Sequence, residues 1–266
     1  MVKRVTVQTL LKMKQQSEKI SVLTAYDYSF AQQIDSAGVD VILVGDSLGM
    51  VVQGRESTIP VTVDDMVYHT KLVGRGAERA LLLADMPFMS YATVAQALES
   101  AGRMMKEGGA TMVKLEGGAA QLEVVDALVN SNIPVCAHLG LQPQAVHRLG
   151  GYRVQGRESS VAQQMVEDAV ALQSAGASML VLECVPATLA ANISAELTIP
   201  VIGIGAGAAC DGQVLVSYDM LGVTMDAAPK FVKNFMDDAG SIPAALRGFV
   251  AAVQDGSFPA AEHIFD

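Results

Sequence analysis

The chain has 266 residues, of which 51% are hydrophobic and 17% charged, enough apolar material for a sizeable core and too much for disorder to be its main state. Eighteen Lys and Arg against 28 Asp and Glu leave a formal charge of -10, which repels phosphate backbones and anionic lipid surfaces and excludes nucleic acid and membrane as expected partners. The N-terminus lacks a continuous apolar h-region, no window reaches the ~18 apolar residues of a spanning helix, and three scattered cysteines, Cys136, Cys184 and Cys210, show no CxxC or Cys/His spacing, so a cytoplasmic protein with small buried thiols is expected.

In chain order, SVLTAYD near residue 21 is the first strand candidate and a helix is predicted over 28–37. A recurring unit follows, in which an amphipathic helix runs through a small-residue stop into a β-branched run ending in an acid: SAGVDVILVGDS at 36–47, EGGATMVKLEGG at 107–118 and SAGASMLVLECV at 174–185. Gly38, Gly109 and Gly176 occupy the position after a helix that favours a left-handed backbone. RALLLADMP near 79 is another strand, and NIPVCAHLG at 132–140 and TIPVIGIGAG at 198–207 are two more, their prolines compatible with a strand's first position. VLVSYDMLG near 214 makes a poorer eighth. Helices are predicted over 62–78, 93–107, 119–131, 158–175 and 186–197, with long loops at 48–61 and 140–157 that suit lids or binding loops.

Strands alternating with helices along the whole length imply a parallel sheet, and this many units fit a closed (β/α)8 TIM barrel. No linker or charge run divides the chain, so one barrel domain over 1–266 is expected, with a helical C-terminal segment from about 225. Gly203-Ile204-Gly205-Ala206-Gly207-Ala208 matches a dinucleotide fingerprint formally, but Cys210-Asp211-Gly212 interrupts any following helix, so close backbone packing at a barrel end is the better reading.

Barrel active sites lie at the C-terminal ends of the strands. Those ends carry Asp27, Asp46 with Ser47, Asp85, Lys114 with Glu116, His138, and Glu183. Clustered carboxylates repel one another unless a positive charge lies among them, and oxygen ligands without His or Cys clusters suit a hard divalent cation such as Mg2+, making Asp46, Asp85 and Glu116 the metal candidates. Each acid has a plainer alternative as a cap of the following helix or turn. Lys114 and Glu116 are two apart and share a strand face, so a lumen-facing Lys114 requires an anionic partner, either a substrate or one of the acids. His138 reads as a satisfied structural histidine or a substrate contact. Glu183, at the end of MLVL, suits a general base by desolvation, or is a buried partner of a basic side chain.

The segments TAYDYSFA at 24–31, VGDSLGMVVQG at 44–54, LLLADMPFMSYA at 81–92, MVKLEGG at 112–118, HLGLQPQAVHRLGGYRVQGR at 138–157, LVLECVP at 180–186, IPVIGIGAG at 199–207 and PKFVKNF at 229–235 resemble, in order, the ketopantoate hydroxymethyltransferase family. That resemblance implies a barrel of the phosphoenolpyruvate mutase-like superfamily, with transfer of a hydroxymethyl group from 5,10-methylenetetrahydrofolate to 3-methyl-2-oxobutanoate. The product is 2-dehydropantoate, on the route to pantothenate and coenzyme A. It implies one Mg2+ per subunit held by Asp46, Asp85 and Glu116, substrate contacts from Asp46, Ser47, Asp85, Lys114 and His138, and Glu183 as proton acceptor. It further implies a homo-oligomer, commonly a decamer in bacterial members. The stretch 221–231 departs from the family pattern, and Asp27 is left without a role. A lyase on the same barrel and a catalytically silent metabolite-binding barrel are the competing readings. The first fits poorly because no cysteine here lies in a catalytic loop, the second because the acid, lysine and histidine set is intact.

Overall fold

The computed structural model describes residues 3–225 and 228–266, and in it the β-branched runs form eight parallel strands: β1 (Ile20–Thr24), β2 (Val41–Val44), β3 (Leu81–Asp85), β4 (Met112–Glu116), β5 (Val135–Gly140), β6 (Met179–Glu183), β7 (Val201–Ile204) and β8 (Gly212–Leu215). Each pairs with its sequence neighbour, and β1 also pairs with β8, so the sheet closes.

Side-chain alternation sorts the strand residues into two buried sets. Leu23, Ile42, Leu82, Val113, Leu115 and Leu182 face outward into the layer shared with the helices. Val22, Val41, Leu83, Met112, Cys136, Val181, Ile202 and Val214 face inward and fill the lumen. This parity decides where the polar strand-end residues point. Lys114 and Glu116 follow Met112, Asp85 follows Leu83, His138 follows Cys136 and Glu183 follows Val181, each by steps of two, so all five project into the lumen or its mouth.

The helices are α1 (Val7–Gln15), α2 (Tyr28–Ser36), α3 (Leu48–Val51), α4 (Val63–Gly76), α5 (Val94–Lys106), α6 (Leu122–Asn130), α7 (Val146–Leu149), α8 (Ser159–Ser174), α9 (Ala187–Glu196), α10 (Ser217–Met220) and α11 (Ile242–Gln254). Their starts carry the expected chemistry, because Asp27, Thr62 and Thr93 each accept a first-turn backbone N–H. That is the structural role of Asp27. Gly38, Gly109 and Gly176 have φ of +89°, +83° and +98°, the left-handed stop that lets each helix turn back into a strand.

Three features differ from the sequence reading. α1 was not expected; it places Leu10 against the lumen residues at the N-terminal end of the barrel, and Lys14 ties it to Asp211 at 2.7 Å. The eighth strand ends at Leu215, and the rest of VLVSYDMLG turns into α10, whose Ser217 N–H donates to Thr24 Oγ1 at 2.9 Å. The two long loops are partly ordered as α3 and as a 3-10 turn, Pro143–Ala145, running into α7. The C-terminal segment contributes α11, with Pro243 in its first turn, packed against β1 and α2. Part of the family-divergent stretch, residues 226–227, lies outside the described residues.

Candidate active site

The C-terminal mouth of the barrel opens into a cavity of about 570 Å3, and Asp46, Ser47, Asp85, Lys114, Glu116, His138 and Glu183 all line it. Five strand ends, β2 to β6, thus deliver every predicted site residue to one basin.

Lys114 is the positive centre. Its Nζ is 2.8 Å from Asp85 Oδ1 and 3.3 Å from His138 Nδ1, so the anionic partner its position required is an internal acid. Burial disfavours its charge, but Asp85, Glu116 and Asp46 together outweigh that and hold it above the ordinary lysine range. Asp46, directly after β2, donates its backbone N–H to Asp85 Oδ2 at 3.1 Å. Burial, and then repulsion from Asp85 and Glu116, push the Asp46 carboxyl well above the usual carboxylate range. One lysine does not neutralise the three acids.

His138 bridges the two halves of the site. Nδ1 is 3.5 Å from Glu116 Oε1 and Nε2 is 3.3 Å from Glu183 Oε2. Burial and the Lys114 ammonium oppose its protonation, yet the adjacent carboxylates Glu116 and Glu183 prevail and raise it to about 8. Glu183 is the most open of these groups, its side chain 15% exposed against 2% for His138, so the desolvation expected from the MLVL strand is only partial.

Ser47 accepts or donates a hydrogen bond with Tyr26 Oη at 2.9 Å, which fixes its hydroxyl at the start of α3. Gly45 keeps this corner open: a Cβ there would come within 2.7 Å of Ser47 Oγ and 3.6 Å of Asp85 Oδ2.

Sequence reasoning missed two residues. Gln144, buried on the 140–157 loop, donates from Nε2 to Asp46 Oδ2 at 2.8 Å and to the Met86 carbonyl at 2.9 Å, while its backbone N–H donates to Glu116 Oε2 at 3.1 Å. Tyr91 donates its hydroxyl to Gln144 Oε1 at 2.5 Å and accepts the Glu116 N–H at 3.3 Å. Both lie inside the family-like segments at 81–92 and 138–157, and Gln144 is one of several polar side chains in its loop, with no local signal to single it out.

The donor set fits a hard divalent cation. Asp85 Oδ1 and Glu116 Oε1 are buried without an aligned hydrogen bond among the described residues, and the surplus negative charge is carried by oxygens alone. Among the described residues no three His, Cys, Asp or Glu side chains form a ready-made cage, so one or two direct carboxylates with water filling the remaining positions is the arrangement that suits Mg2+.

Gly205 and Gly207, with φ of +60° and +87°, pack closely as expected for that segment: a Cβ on Gly207 would lie 2.8 Å from Ala187 Cβ. The three cysteines are free and buried, and no helix among the described residues is long and apolar enough to cross a membrane.

The closed parallel barrel is similar in fold to solved members of the phosphoenolpyruvate mutase/isocitrate lyase superfamily. Phosphoenolpyruvate phosphomutase from Streptomyces platensis subsp. rosaceus superposes with a TM-score of 0.63 at 13% identity, covering 82% of this chain and 83% of that one. A 2,3-dimethylmalate lyase of the superfamily superposes with a TM-score of 0.60 at 17% identity, covering 82% of each chain. These likenesses define the fold. The family is fixed by sequence: the family model for ketopantoate hydroxymethyltransferase matches residues 4–261, and the chain belongs to that family of transferases. It is 62% identical over 98% of its length, and 94% of the relative's, to the 3-methyl-2-oxobutanoate hydroxymethyltransferase of Alkalilimnicola ehrlichii, and 58% identical over 98% and 95% to that of Halorhodospira halophila.

Proposed function

We propose that the protein transfers the one-carbon unit of 5,10-methylenetetrahydrofolate to 3-methyl-2-oxobutanoate, forming 2-dehydropantoate for pantothenate and coenzyme A synthesis. The observation that carries this reading is the division of the strand ends into a charged pole, Asp46, Asp85, Lys114 and Glu116, and a more open carboxylate, Glu183, joined by His138 at 3.3 Å. A 2-oxo acid has matching polarity, with its oxygens at one end and an acidic C–H at the other.

Asp46 and Asp85 would hold Mg2+, with Glu116 contributing directly or through water. When bound, the ion supplies Lewis acidity toward the keto and carboxylate oxygens, which acidifies C3. Lys114 and Ser47 orient the oxygen end and offset its charge. Glu183 takes the C3 proton, and His138, with Nε2 toward Glu183, sets the orientation of that carboxylate. The C3 carbanion electron pair then forms the new bond to the methylene carbon as the first of its two carbon–nitrogen bonds breaks, the released nitrogen taking up a proton. Water supplies the hydroxyl and a proton for the second nitrogen as the second carbon–nitrogen bond breaks, releasing tetrahydrofolate. Buried, protonated thiols suit a reducing cytoplasm, and the family's homo-oligomeric assembly belongs to the same reading.

The test is NMR-detected exchange of the C3 proton of 3-methyl-2-oxobutanoate in D2O, with and without Mg2+, followed by addition of methylenetetrahydrofolate. Metal-dependent exchange and then 2-dehydropantoate formation support the assignment. Absence of exchange under every condition overturns it.

A further inference from the structure

The cavity at the barrel mouth is larger than a short branched 2-oxo acid requires. Its volume of about 570 Å3 falls in the range that encloses drug-sized ligands, about 300–1,000 Å3. Its walls change character with height. Deep in the lumen, Val181, Ile204 and Val214 form an aliphatic tier, matched to a branched alkyl chain. Above them Phe231 and Phe265 provide an aromatic tier.

That aromatic pair is built into the strand end beside Glu183. Glu183 and Ile204 are register partners across β6 and β7, and Gly205 follows Ile204. A Cβ on Gly205 would lie 3.0 Å from Phe231 Cδ1 and 3.0 Å from Phe265 Cε2, so both rings occupy space that only glycine leaves open. The Lys230 ammonium lies over the Phe265 ring, 5.3 Å from its centroid, with Nζ donating to the Ile264 carbonyl at 2.6 Å. Across the mouth, exposed Tyr152 reaches Met50 Sδ at 3.5 Å, and exposed Arg153 follows it. In a chain of net charge -10, the cavity lining therefore includes two cations besides Lys114 and three aromatic rings, with Asp219 as a further acid.

The carbon that loses a proton to Glu183 is the carbon that gains the new bond, so the donor must approach from the Glu183 end. We propose that the outer half of the cavity, walled by Phe231 and Phe265 and rimmed by Tyr152, Arg153 and Lys230, is the subsite for the one-carbon donor. The aromatic tier takes the flat pterin ring and the rim cations take its carboxylate tail. This rests on the transfer reaction proposed above and goes beyond it, because it assigns the second substrate to particular residues.

The test compares wild type with Phe231→Ala and, since that ring also packs on the lumen cluster, with Arg153→Gln at the rim. Two readouts are taken: folate-independent C3 exchange of 3-methyl-2-oxobutanoate, and the KM for methylenetetrahydrofolate with one or several glutamates. Ring stacking of this kind supports an increase in KM of about 10-fold or more for Phe231→Ala, with exchange and the 2-oxo-acid KM within about two-fold of wild type. Arg153→Gln is expected to abolish most of any preference for the longer tail. Normal wild-type exchange with an unchanged donor KM in both variants overturns the subsite alone. A rise in the 2-oxo-acid KM instead assigns the aromatic tier to the first substrate and also overturns it. No exchange in wild type overturns the underlying reaction and the subsite with it.

Discussion

The side-chain amide of Gln144 donates to Asp46 Oδ2 at 2.8 Å, joining a residue of the 140–157 loop to the acid that follows β2. The same residue's backbone N–H holds Glu116 at 3.1 Å, and Tyr91 holds the amide oxygen, so one loop residue sets the spacing of two carboxylates whose mutual repulsion would otherwise drive them apart. Replacing Gln144 by Leu removes the side-chain donor to Asp46 and keeps the backbone N–H to Glu116. Outer-shell partners of this kind change metal affinity by about 10–100-fold, and a Mg2+ titration by calorimetry is expected to show a loss in that range. Gln144→Glu adds a further charge and is expected to lose more folded-state stability than Gln144→Leu. Unchanged Mg2+ affinity in Gln144→Leu contradicts the role.

Glu183→Gln retains shape and removes the basic oxygen. C3 exchange of 3-methyl-2-oxobutanoate is expected to fall by about 10²–10⁴-fold, the usual contribution of a positioned base, while calorimetric Mg2+ and 2-oxo-acid binding stay near wild type. Exchange at a near-normal rate in this variant removes Glu183 from the role.

The strand-end residues were legible because strand parity is exact: once Met112, Leu83, Cys136 and Val181 are assigned to the lumen, Lys114, Asp85, His138 and Glu183 must follow. Helix bounds were legible for an equally local reason, with Thr62, Thr93 and the left-handed glycines marking starts and stops in the chain itself. What could not be read depends on contacts distant in sequence. Gln144 and Asp46 are separated by 98 residues, and nothing local to either announces the bond. α1 escaped for a related reason: its buried face is narrow, with Leu10 its one fully buried residue, and its place at the barrel floor is decided by tertiary packing. Whether Lys114 served a substrate or an internal acid was also undecidable until β3 and β4 were seen in register, with Asp85 opposite Lys114.

The thiols give a pH-dependent prediction. Burial raises Cys136 to about 12 and Cys210 to about 11, and burial followed by the neighbouring Glu183 raises Cys184 further. Because the thiolate is the reactive form, native protein at pH 8 is expected to react negligibly with a disulfide reagent, and the rate is expected to rise with pH. Cys184 alone of the three lines the cavity, so it should be modified first, and 3-methyl-2-oxobutanoate should protect it. Complete denaturation should release three equivalents. Rapid native labelling at pH 8 contradicts the prediction.

Lys114 and Asp85 form a buried pair at 2.8 Å, their side chains 6% and 4% exposed, in surroundings that hold more acids than bases. Removing one member of such a pair strands the other charge and costs about 3–5 kcal/mol. Lys114→Met strands Asp85 and also removes the positive charge that offsets Asp46 and Glu116, so it is expected to be the more damaging single change. Asp85→Asn leaves Lys114 with Glu116 and Asp46 still pulling on it and should cost less. The double variant is then expected to be more stable than Lys114→Met alone, because the added neutralisation relieves the repulsion that the first change exposed. Urea unfolding of the four proteins in a double-mutant cycle measures this coupling. Strict additivity would mean that the pair contributes no interaction of its own and that the neighbouring carboxylates, acting through Lys114 as a group, hold the site together.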